Sequence, residues 1–437
     1  MKNVTSPRPV MAYTPLRFLL AYLSVTLLIA IFGPTIYFNF PIQNTVIFMV
    51  ATMAVMTFGF INGVRLPIKP PKSGEKEDTK FVRNLFRVSL FISAMSLIFV
   101  VSVALFDGNF NTDITAIGAT YLDGYEGYER NSGTYGLQFL IYSFGLPFAF
   151  ITNIWGLYYF RTLTKAEKLA VLFVLVGSLI FYVLGSGKQK QLGDTIIYII
   201  AIVAIKKGVT NQGIKLRTLI IGIFAGILSI FSFAFILAQR YAALSTDAFN
   251  YNQKSLNNIA INVDHPIFKL FGPDMGFSLT VFLSYLSQGY YGLGLATTVN
   301  HSWTYFLGFS YSLSVIANRI FGVEWVWPDT LLYQTGVQTG WGETKWHTAF
   351  THFATDFTFP GTILLFGFIA YLFARSWISA IRYENPFSIL MFSLLTLGAF
   401  FLPANNQLLH SPGNLLTVII ISILYMAKAR SHNRQPS

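Results

Sequence analysis

The sequence predicts an all-α polytopic membrane protein, with roughly 10 to 12 transmembrane helices and one large loop on the outer side. Of its 437 residues, 54% are hydrophobic and only 11% are charged, whereas about 25% of the residues in soluble domains are charged. Several uncharged runs approach or exceed the ~20 residues that a helix needs to cross a bilayer core. These runs are continuous rather than alternating, which argues against a membrane β-barrel.

The first five predicted spans alternate with loops of opposite charge. They cover residues 18–37, 45–63, 88–105, 136–160 and 169–184. The loop at 64–87 carries seven Lys or Arg residues, so we place it in the cytoplasm. The loop at 107–136 is acidic, and we place it on the outer side.

The sixth apolar run is too short to cross a membrane alone. It covers residues 195–205, and eleven helical residues extend ~17 Å, about half of the ~30 Å core. We therefore expect the helix to begin within the preceding polar segment, which brings Lys188, Lys190 and Asp194 to the outer lip of the membrane or into a recess in it. Ionisable groups at that depth mark functional sites, although lysines near a helix end also extend toward water.

A long outer segment follows the seventh span and precedes three final spans. The seventh span covers 218–239, and the final three cover 361–374, 386–402 and 415–426. Within the long segment, 276–296 and 303–317 are apolar enough to form a further pair of spans or to lie as interfacial or re-entrant helices. The predicted parts are N-terminal helices at 1–239, the large loop at 240–360 and C-terminal helices at 361–437.

This topology separates charge across the membrane. The side that holds both termini receives 22 Lys or Arg and 5 Asp or Glu residues, and the other side receives 8 and 13. Because cytoplasmic loops carry the excess of Lys and Arg, we expect both termini of this inner-membrane-type protein in the cytoplasm and a functional face on the outer side. The net charge of +12 has the same explanation, so we expect the bilayer and no nucleic acid as a partner.

Three cations are predicted close to the outer membrane surface. Lys188 and Lys190 precede the sixth apolar run, and Arg240 directly follows the seventh span. Arginine grips phosphate oxygens in a bidentate manner and lysine contributes a point charge, so this group suits a lipid-linked phosphate or diphosphate. Arg319 is a further candidate of unknown depth.

The segment KWHTAFTHFATDFTFPG, residues 345–361, brings two histidines and a carboxylate to the start of an apolar span. On a helix His352 and Asp356 are four residues apart and share a face, while His347 lies about one and a half turns before Asp356. The long outer segment also holds five of the seven tryptophans, including Trp346, and the neighbouring pair Tyr290 and Tyr291. Flat aromatic faces pack against sugars, but they also form the interfacial belt of membrane proteins.

Other chemistries lack their signatures. The chain has no cysteine, which excludes disulfides, thiolate metal sites and cysteine nucleophiles. No phosphate-binding glycine loop, metalloprotease motif, carboxylate-rich metal cluster or serine-hydrolase elbow is present. We therefore expect no metal and no cofactor.

Two stretches of the sequence resemble a known family. The pattern His347-x8-Asp356-x4-Gly361 is similar to the histidine, acidic residue and glycine found where the large periplasmic loop of O-antigen ligases and O-antigen polymerases re-enters the membrane. The same segment, and SQGYYGLGLA at 287–296, resemble bacterial polymerases of oligosaccharide repeat units. The order of features along the chain is also similar to that family: a basic turn between two middle spans, an arginine at the next outer helix end, the large loop and then the helix with the histidine.

The resemblance implies a membrane glycosyltransferase of type C that joins undecaprenyl-diphosphate-linked repeat units on the periplasmic face, without nucleotide sugar or metal. Arg240 would bind the donor diphosphate, and His347 would accept or orient the proton of the acceptor hydroxyl. The ligases usually carry arginine in the middle basic turn, where this chain has Lys188 and Lys190. A flippase for the repeat units and a regulator of chain length would be its partners.

Alternatives remain within these expectations. A ligase that transfers chains to a lipid A core shares most of the features, and a transporter of lipid-linked sugars would also need basic and aromatic cavity walls. Spacing to Asp356 favours His352 as the better-held histidine, whereas the resemblance and the adjacent Trp346 favour His347. We expect His347 to act on the acceptor, with His352 and Asp356 positioning it or binding sugar hydroxyls.

Overall fold

The chain folds into a bundle of long helices. The computed structural model describes residues 9–68, 76–106, 137–184, 189–211, 224, 226, 230–236, 258–342 and 345–431. Most of the described residues are helical, as the long apolar runs predict. Lys188, Arg240 and the acidic loop at 107–136 lie outside the described residues.

The described part consists of α-helices and two short strands, together with a 3-10 helix at Phe160–Thr162 and a helical stretch at 230–236. The helices are α1 (Pro9–Ala12), α2 (Thr14–Phe32), α3 (Ile42–Arg65), α4 (Lys76–Phe106), α5 (Leu137–Tyr158), α6 (Lys165–Leu184), α7 (Lys190–Thr210), α8 (Pro266–Ala296), α9 (Tyr311–Phe321), α10 (Leu331–Thr339), α11 (Ala349–Tyr383), α12 (Pro386–Phe401), α13 (Gln407–His410) and α14 (Pro412–Ser431). The strands β1 (Thr35–Tyr37) and β2 (Ile259–Ile261) pair in antiparallel register.

Among the described residues, six helices are long and apolar enough to cross a membrane. These spans are Thr14–Phe32, Ile42–Arg65, Lys80–Phe106, Phe139–Tyr158, Lys165–Val183 and Ala349–Tyr383. Large apolar side chains on them face outward: Phe58, Phe91, Leu169 and Leu364 are 67–69% exposed. Such surfaces are costly in water and stable against lipid, so the bundle has the surface of a membrane protein. The shorter apolar helices α12 and α14 pack beside these spans.

Glycine contacts join α3 and α11 at very short range. Gly59 and Gly63 of α3 form a G-x-x-x-G pattern, and a Cβ at Gly59 would overlap the backbone of Gly367 in α11. A Cβ at Gly63 would lie 2.6 Å from the carbonyl oxygen of Tyr371. Small residues let membrane helices approach this closely, and dispersion contacts then stabilise the pair.

One end of the bundle collects the parts of the long outer segment. Strand β2 pairs with β1, which follows α2, and the Ala349 amide donates to the Leu402 carbonyl at 2.9 Å. The Ser310 hydroxyl donates to the Leu409 carbonyl at 2.7 Å. The first residues of α11, the 402–411 turn and the long segment therefore meet at this end, which we call the capped end.

Two helices of this region are broken. Helix α8 has a non-helical Gly272 (φ 77°) before Pro273, and α11 has a non-helical Thr358 (φ 58°) shortly before Pro360. Proline cannot donate an amide and clashes with the preceding turn. The break in α11 separates a short arm, 349–357, from the long part that follows.

The structure decides two open points of the sequence analysis. Helix α7 begins at Lys190, which confirms that the sixth helix starts within the polar segment. The 303–317 stretch forms no span: it is a loop followed by α9, whose eleven residues extend only ~16 Å. Helix α8 is not among the six apolar spans and instead packs against α2, α3 and β1.

Candidate functional site

The short arm of α11 positions both predicted histidines at the capped end. Thr348 is the N-cap of this helix, and its side-chain oxygen accepts the Thr351 amide at 3.2 Å. Because the cap fixes where the helix starts, His347 lies just outside it and His352 lies at the end of the first turn. Their side chains are buried, with 1% and 5% exposure.

One ring nitrogen of His347 has a hydrogen-bond partner, and the other has none among the described residues. Its Nε2 lies 3.3 Å from the carbonyl oxygen of Gly342, and because a carbonyl can only accept, Nε2 carries the proton. Its Nδ1 is buried and has no hydrogen-bond partner among the described residues. Burial lowers the pKa of His347 to about 4, against smaller opposing effects of the Gly342 and Trp341 backbone. At neutral pH the ring is therefore uncharged, with a free lone pair on Nδ1.

The glycines of the SQGYYGLGLA stretch allow α8 to pack directly onto this histidine. A Cβ at Gly292 would lie 2.8 Å from His347 Nδ1 and 2.9 Å from Trp341 Nε1. A Cβ at Gly289 would overlap the carbonyl oxygen of Pro403. Glycine is needed at both positions because a side chain would not fit between α8 and the backbone and side chains that face it.

Asp356 anchors a loop and does not pair with His352. Its Oδ1 accepts from the Thr304 hydroxyl (2.6 Å), the Thr304 amide (3.2 Å) and the Phe306 amide (3.0 Å). Its Oδ2 accepts from the Gly308 amide (3.1 Å) and the Phe309 amide (2.8 Å). Both oxygens of the buried carboxylate are thus used, and the expected roles in positioning a histidine or binding sugar hydroxyls are replaced by a structural one.

His352 instead belongs to a row of basic side chains. Within the described residues its ring makes no hydrogen bond, and the imidazoles of His347 and His410 are close enough to interact with it electrostatically. His410, at the end of α13, is exposed, and its ring stacks on Tyr311 with centroids 5.3 Å apart. His410 in turn lies within electrostatic range of Lys190.

Lys190 forms an ion pair rather than standing as a free cation. Its Nζ lies 3.1 Å from Oδ2 of Asp194, one turn along α7. The lysine side chain is 37% exposed, and the aspartate side chain is only 5% exposed. Oδ1 of Asp194 is buried and lacks a hydrogen-bond partner among the described residues. Asp194 therefore offsets the charge that the sequence analysis assigned to a phosphate site.

Of the other predicted cations, the described residues include only Arg319. Lys188 and Arg240 lie outside the described residues, so their predicted roles in binding a diphosphate stay predictions. Arg319 is exposed in the last turn of α9.

The predicted aromatic contacts separate into packing residues and surface residues. Tyr290 is fully buried, and its hydroxyl lies 3.0 Å from the Thr26 hydroxyl on α2. Tyr291 is also buried, and its hydroxyl donates to the Phe38 carbonyl at 2.8 Å. Both hydroxyls thus attach α8 to its neighbours in this structure, and the predicted contact of these two tyrosines with sugar stays a prediction. Trp346 is half-buried against Tyr285, with ring centroids 5.1 Å apart.

Sequence reasoning missed His410 and the direct contact of Gly292 with His347. The sequence treats His410 as a solitary histidine because it is 58 residues from His352, and only the packing of α13 against its neighbours brings the two together. The SQGYYGLGLA stretch stands out in the sequence, but its pattern alone does not identify the residue that it contacts.

No group of three or more His, Asp or Glu side chains suited to a metal ion occurs in the part of the chain that the structure describes. Comparisons with protein-family models, curated proteins and solved structures find no match to this chain. The support for a function therefore comes from the geometry of the site.

Proposed function

We propose that this protein is a bacterial inner-membrane polymerase that joins oligosaccharide repeat units carried on undecaprenyl diphosphate, in the manner of O-antigen polymerases. The proposal places it among membrane glycosyltransferases of type C, with the site on the periplasmic face. It needs neither metal nor nucleotide sugar.

The observation that carries the proposal is the row of ionisable side chains at the capped end. It runs from the partly exposed Lys190 and the exposed His410 through His352 to the buried His347. Ionisable groups are expensive inside an apolar bundle and are functional by default. A row that leads from the surface to a free imidazole nitrogen suits a substrate that is delivered along the membrane surface and reacts inside the protein.

The reaction requires one proton acceptor and charge stabilisation on the leaving group. The acceptor hydroxyl oxygen forms a bond to the anomeric carbon of the donor, the bond from that carbon to the diphosphate breaks, and the hydroxyl proton passes to Nδ1 of His347. Its neutral state and free lone pair suit this role. Lys188 and Arg240, as the sequence predicts, would balance the charge that develops on the diphosphate, and Lys190 would add the N–H donors that its ion pair with Asp194 leaves unused.

Access to His347 requires movement, because its side chain is 1% exposed. Helix α8 covers Nδ1, and its break at Gly272 has open space around it. A hydroxyl reaches Nδ1 when the Gly292 face of α8 moves away from the 341–347 segment. Such motions gate many enzymes and exclude water while the site is closed.

Basic residues at the end opposite the capped end support the proposed orientation. Lys168 and Lys206 donate there to the carbonyls of Arg161 and Leu157, and Arg375 donates to the Leu66 carbonyl at 2.6 Å. Basic loops favour the cytoplasm, so the proposal puts the capped end in the periplasm. A reporter fused near Lys165 should report cytoplasm, and a periplasmic signal there would contradict the orientation.

Deletion of the gene followed by electrophoresis of lipopolysaccharide tests the function. Chains of a single repeat unit are expected, and plasmid-borne wild-type protein should restore the ladder. Core without any chain would instead indicate the ligase or a transporter, and an unchanged ladder would exclude all three. The repeat-unit flippase and a chain-length regulator are the proposed partners.

A further inference from the structure

The loop that Asp356 anchors holds its backbone in an unusual conformation. Two consecutive residues, Tyr305 (φ 53°) and Phe306 (φ 62°), lie in the left-handed region, which costs an aromatic residue about 1–2 kcal/mol. Amides on both sides of them donate to the single carboxylate of Asp356. Strain of this kind persists where the surrounding structure over-determines it, commonly at ligand sites.

The strained loop presents aromatic rings to the outside. Trp303 is 50% exposed, Tyr305 62% and Trp325 43%. The rings of Trp303 and Tyr305 have centroids 4.5 Å apart, and those of Tyr305 and Trp325 lie 5.7 Å apart. We call these three rings the aromatic platform. The carboxylate of Asp356 fixes the backbone that carries its first two rings.

We propose that the aromatic platform binds the saccharide portion of a lipid-linked substrate, with the sugar rings stacked on Trp303, Tyr305 and Trp325. This inference rests on the proposed function and assigns the saccharide a place in it. Aromatic rings present flat apolar faces together with a polar edge, which matches the apolar face and hydroxyl rim of a sugar ring.

The position of the platform connects it to the row of basic side chains. Asp356 is one helical turn, about 6 Å, beyond His352 on the same short arm. The loop also continues from Tyr305 to Tyr311, whose ring stacks on His410. A saccharide on the platform is therefore within a few sugar lengths of both histidines.

A fixed arrangement favours a saccharide over lipid as the occupant. An aromatic residue of an interfacial belt only has to lie at the depth of the membrane surface, and it can do so from the end of any helix. Here five hydrogen bonds to one buried carboxylate hold a strained loop in a single geometry. Defined geometry matters for a ligand that must be placed against a reacting group.

Binding of two lipids by the purified full-length protein in nanodiscs tests the proposal. The first is the saccharide-bearing lipid extracted from cells that lack the gene, and the second is undecaprenyl diphosphate without sugar. Trp303→Ala, Tyr305→Ala and Trp325→Ala should each weaken binding of the first lipid by roughly three- to tenfold, the equivalent of one aromatic contact. Binding of the second lipid should stay unchanged. Trp303→Phe should retain most of the affinity, and Phe58→Ala, an outward-facing ring on α3, is the matched control.

The outcomes separate the platform from the proposed function. If wild-type protein does not bind the saccharide-bearing lipid, the function fails and the platform proposal falls with it. If wild-type protein binds but the alanine variants bind equally well, the platform proposal alone is overturned. If the alanine variants bind both lipids more weakly by the same factor, the rings contact the lipid chain, and this result would also overturn the platform proposal. Equal thermal unfolding of the wild-type protein and the three alanine variants keeps the comparison independent of folding.

Discussion

The substitution Gly292→Ala should disable the site with little loss of folded protein. The added Cβ would lie 2.8 Å from His347 Nδ1, 2.9 Å from Trp341 Nε1 and 3.0 Å from the Trp346 carbonyl oxygen. Ordinary contacts of a carbon atom are about 3.5–4.0 Å, so helix and histidine segment must separate by about 0.7–1 Å. Overpacking of this kind costs about 1–3 kcal/mol.

The expected loss of activity exceeds the loss of stability. Alanine is favoured over glycine in a helix by about 1 kcal/mol, which offsets part of the overpacking and leaves a net cost of about 0–2 kcal/mol. A displacement of about 1 Å at a reacting group can reduce the rate about 100-fold. We therefore expect near-normal protein abundance together with a loss of chain extension of that size.

Chain extension in membranes with matched amounts of protein, together with thermal unfolding, measures both quantities. Gly361→Ala is the control, because its Cβ meets only ordinary contacts, at 3.5 Å to Phe357 and 3.7 Å to Thr358. This control should keep wild-type activity within a few-fold. Full activity of Gly292→Ala would refute the argument that α8 fixes the position of His347, and equal losses in both variants would show that the effect is not specific to this contact.

The same geometry predicts the outcome of five further measurements. His347→Ala should leave chains of one repeat unit, a rate loss of about 10²–10⁴, and His352→Ala should retain detectable polymer; the reverse pattern would assign the proton transfer to His352. In a pH profile of kcat/KM, the acid limb due to His347 should lie near pH 4, and a limb near pH 6.5 would contradict its burial. Between about pH 6.5 and pH 4 the unfolded chain binds a proton that the folded chain does not. The stability that neutral His347 contributes is therefore complete above about pH 6.5 and falls by about 3 kcal/mol as the pH drops from 6.5 to 4; His347→Ala should remove this dependence of the melting temperature. Asp356→Asn should destabilise by several kcal/mol, because charge-assisted hydrogen bonds contribute about 1.5–3 kcal/mol each, and unchanged thermal unfolding would show that the carboxylate does not anchor the loop. Gly59→Ala should lower the yield of folded protein because its Cβ overlaps the α11 backbone, and a normal yield with normal unfolding would show that α3 and α11 can separate without cost.

The sequence by itself determined the broad class of the protein and several local features. Continuous apolar runs predict membrane helices because a chain in lipid must satisfy its backbone internally. The shortness of the 195–205 run predicted where α7 begins, since helix length is fixed by the rise per residue. The sequence predicts His347 and His352 at the start of a late span, and the described structure has His352 in the first turn of α11 and His347 just before its N-cap.

Tertiary structure decided which of the candidate side chains contact one another. Four-residue spacing placed Asp356 beside His352, but a carboxylate binds whichever donors approach it best, and five from a loop about 50 residues away occupy both of its oxygens. The sequence predicts sugar contacts for Tyr290 and Tyr291, and in the fold their hydroxyls attach α8 to α2 and to the residue after β1. His410 joined the site only through the packing of α13. Pattern in a sequence reports the period and polarity of a segment, whereas contacts between distant segments depend on the packing of whole helices, which no local pattern records.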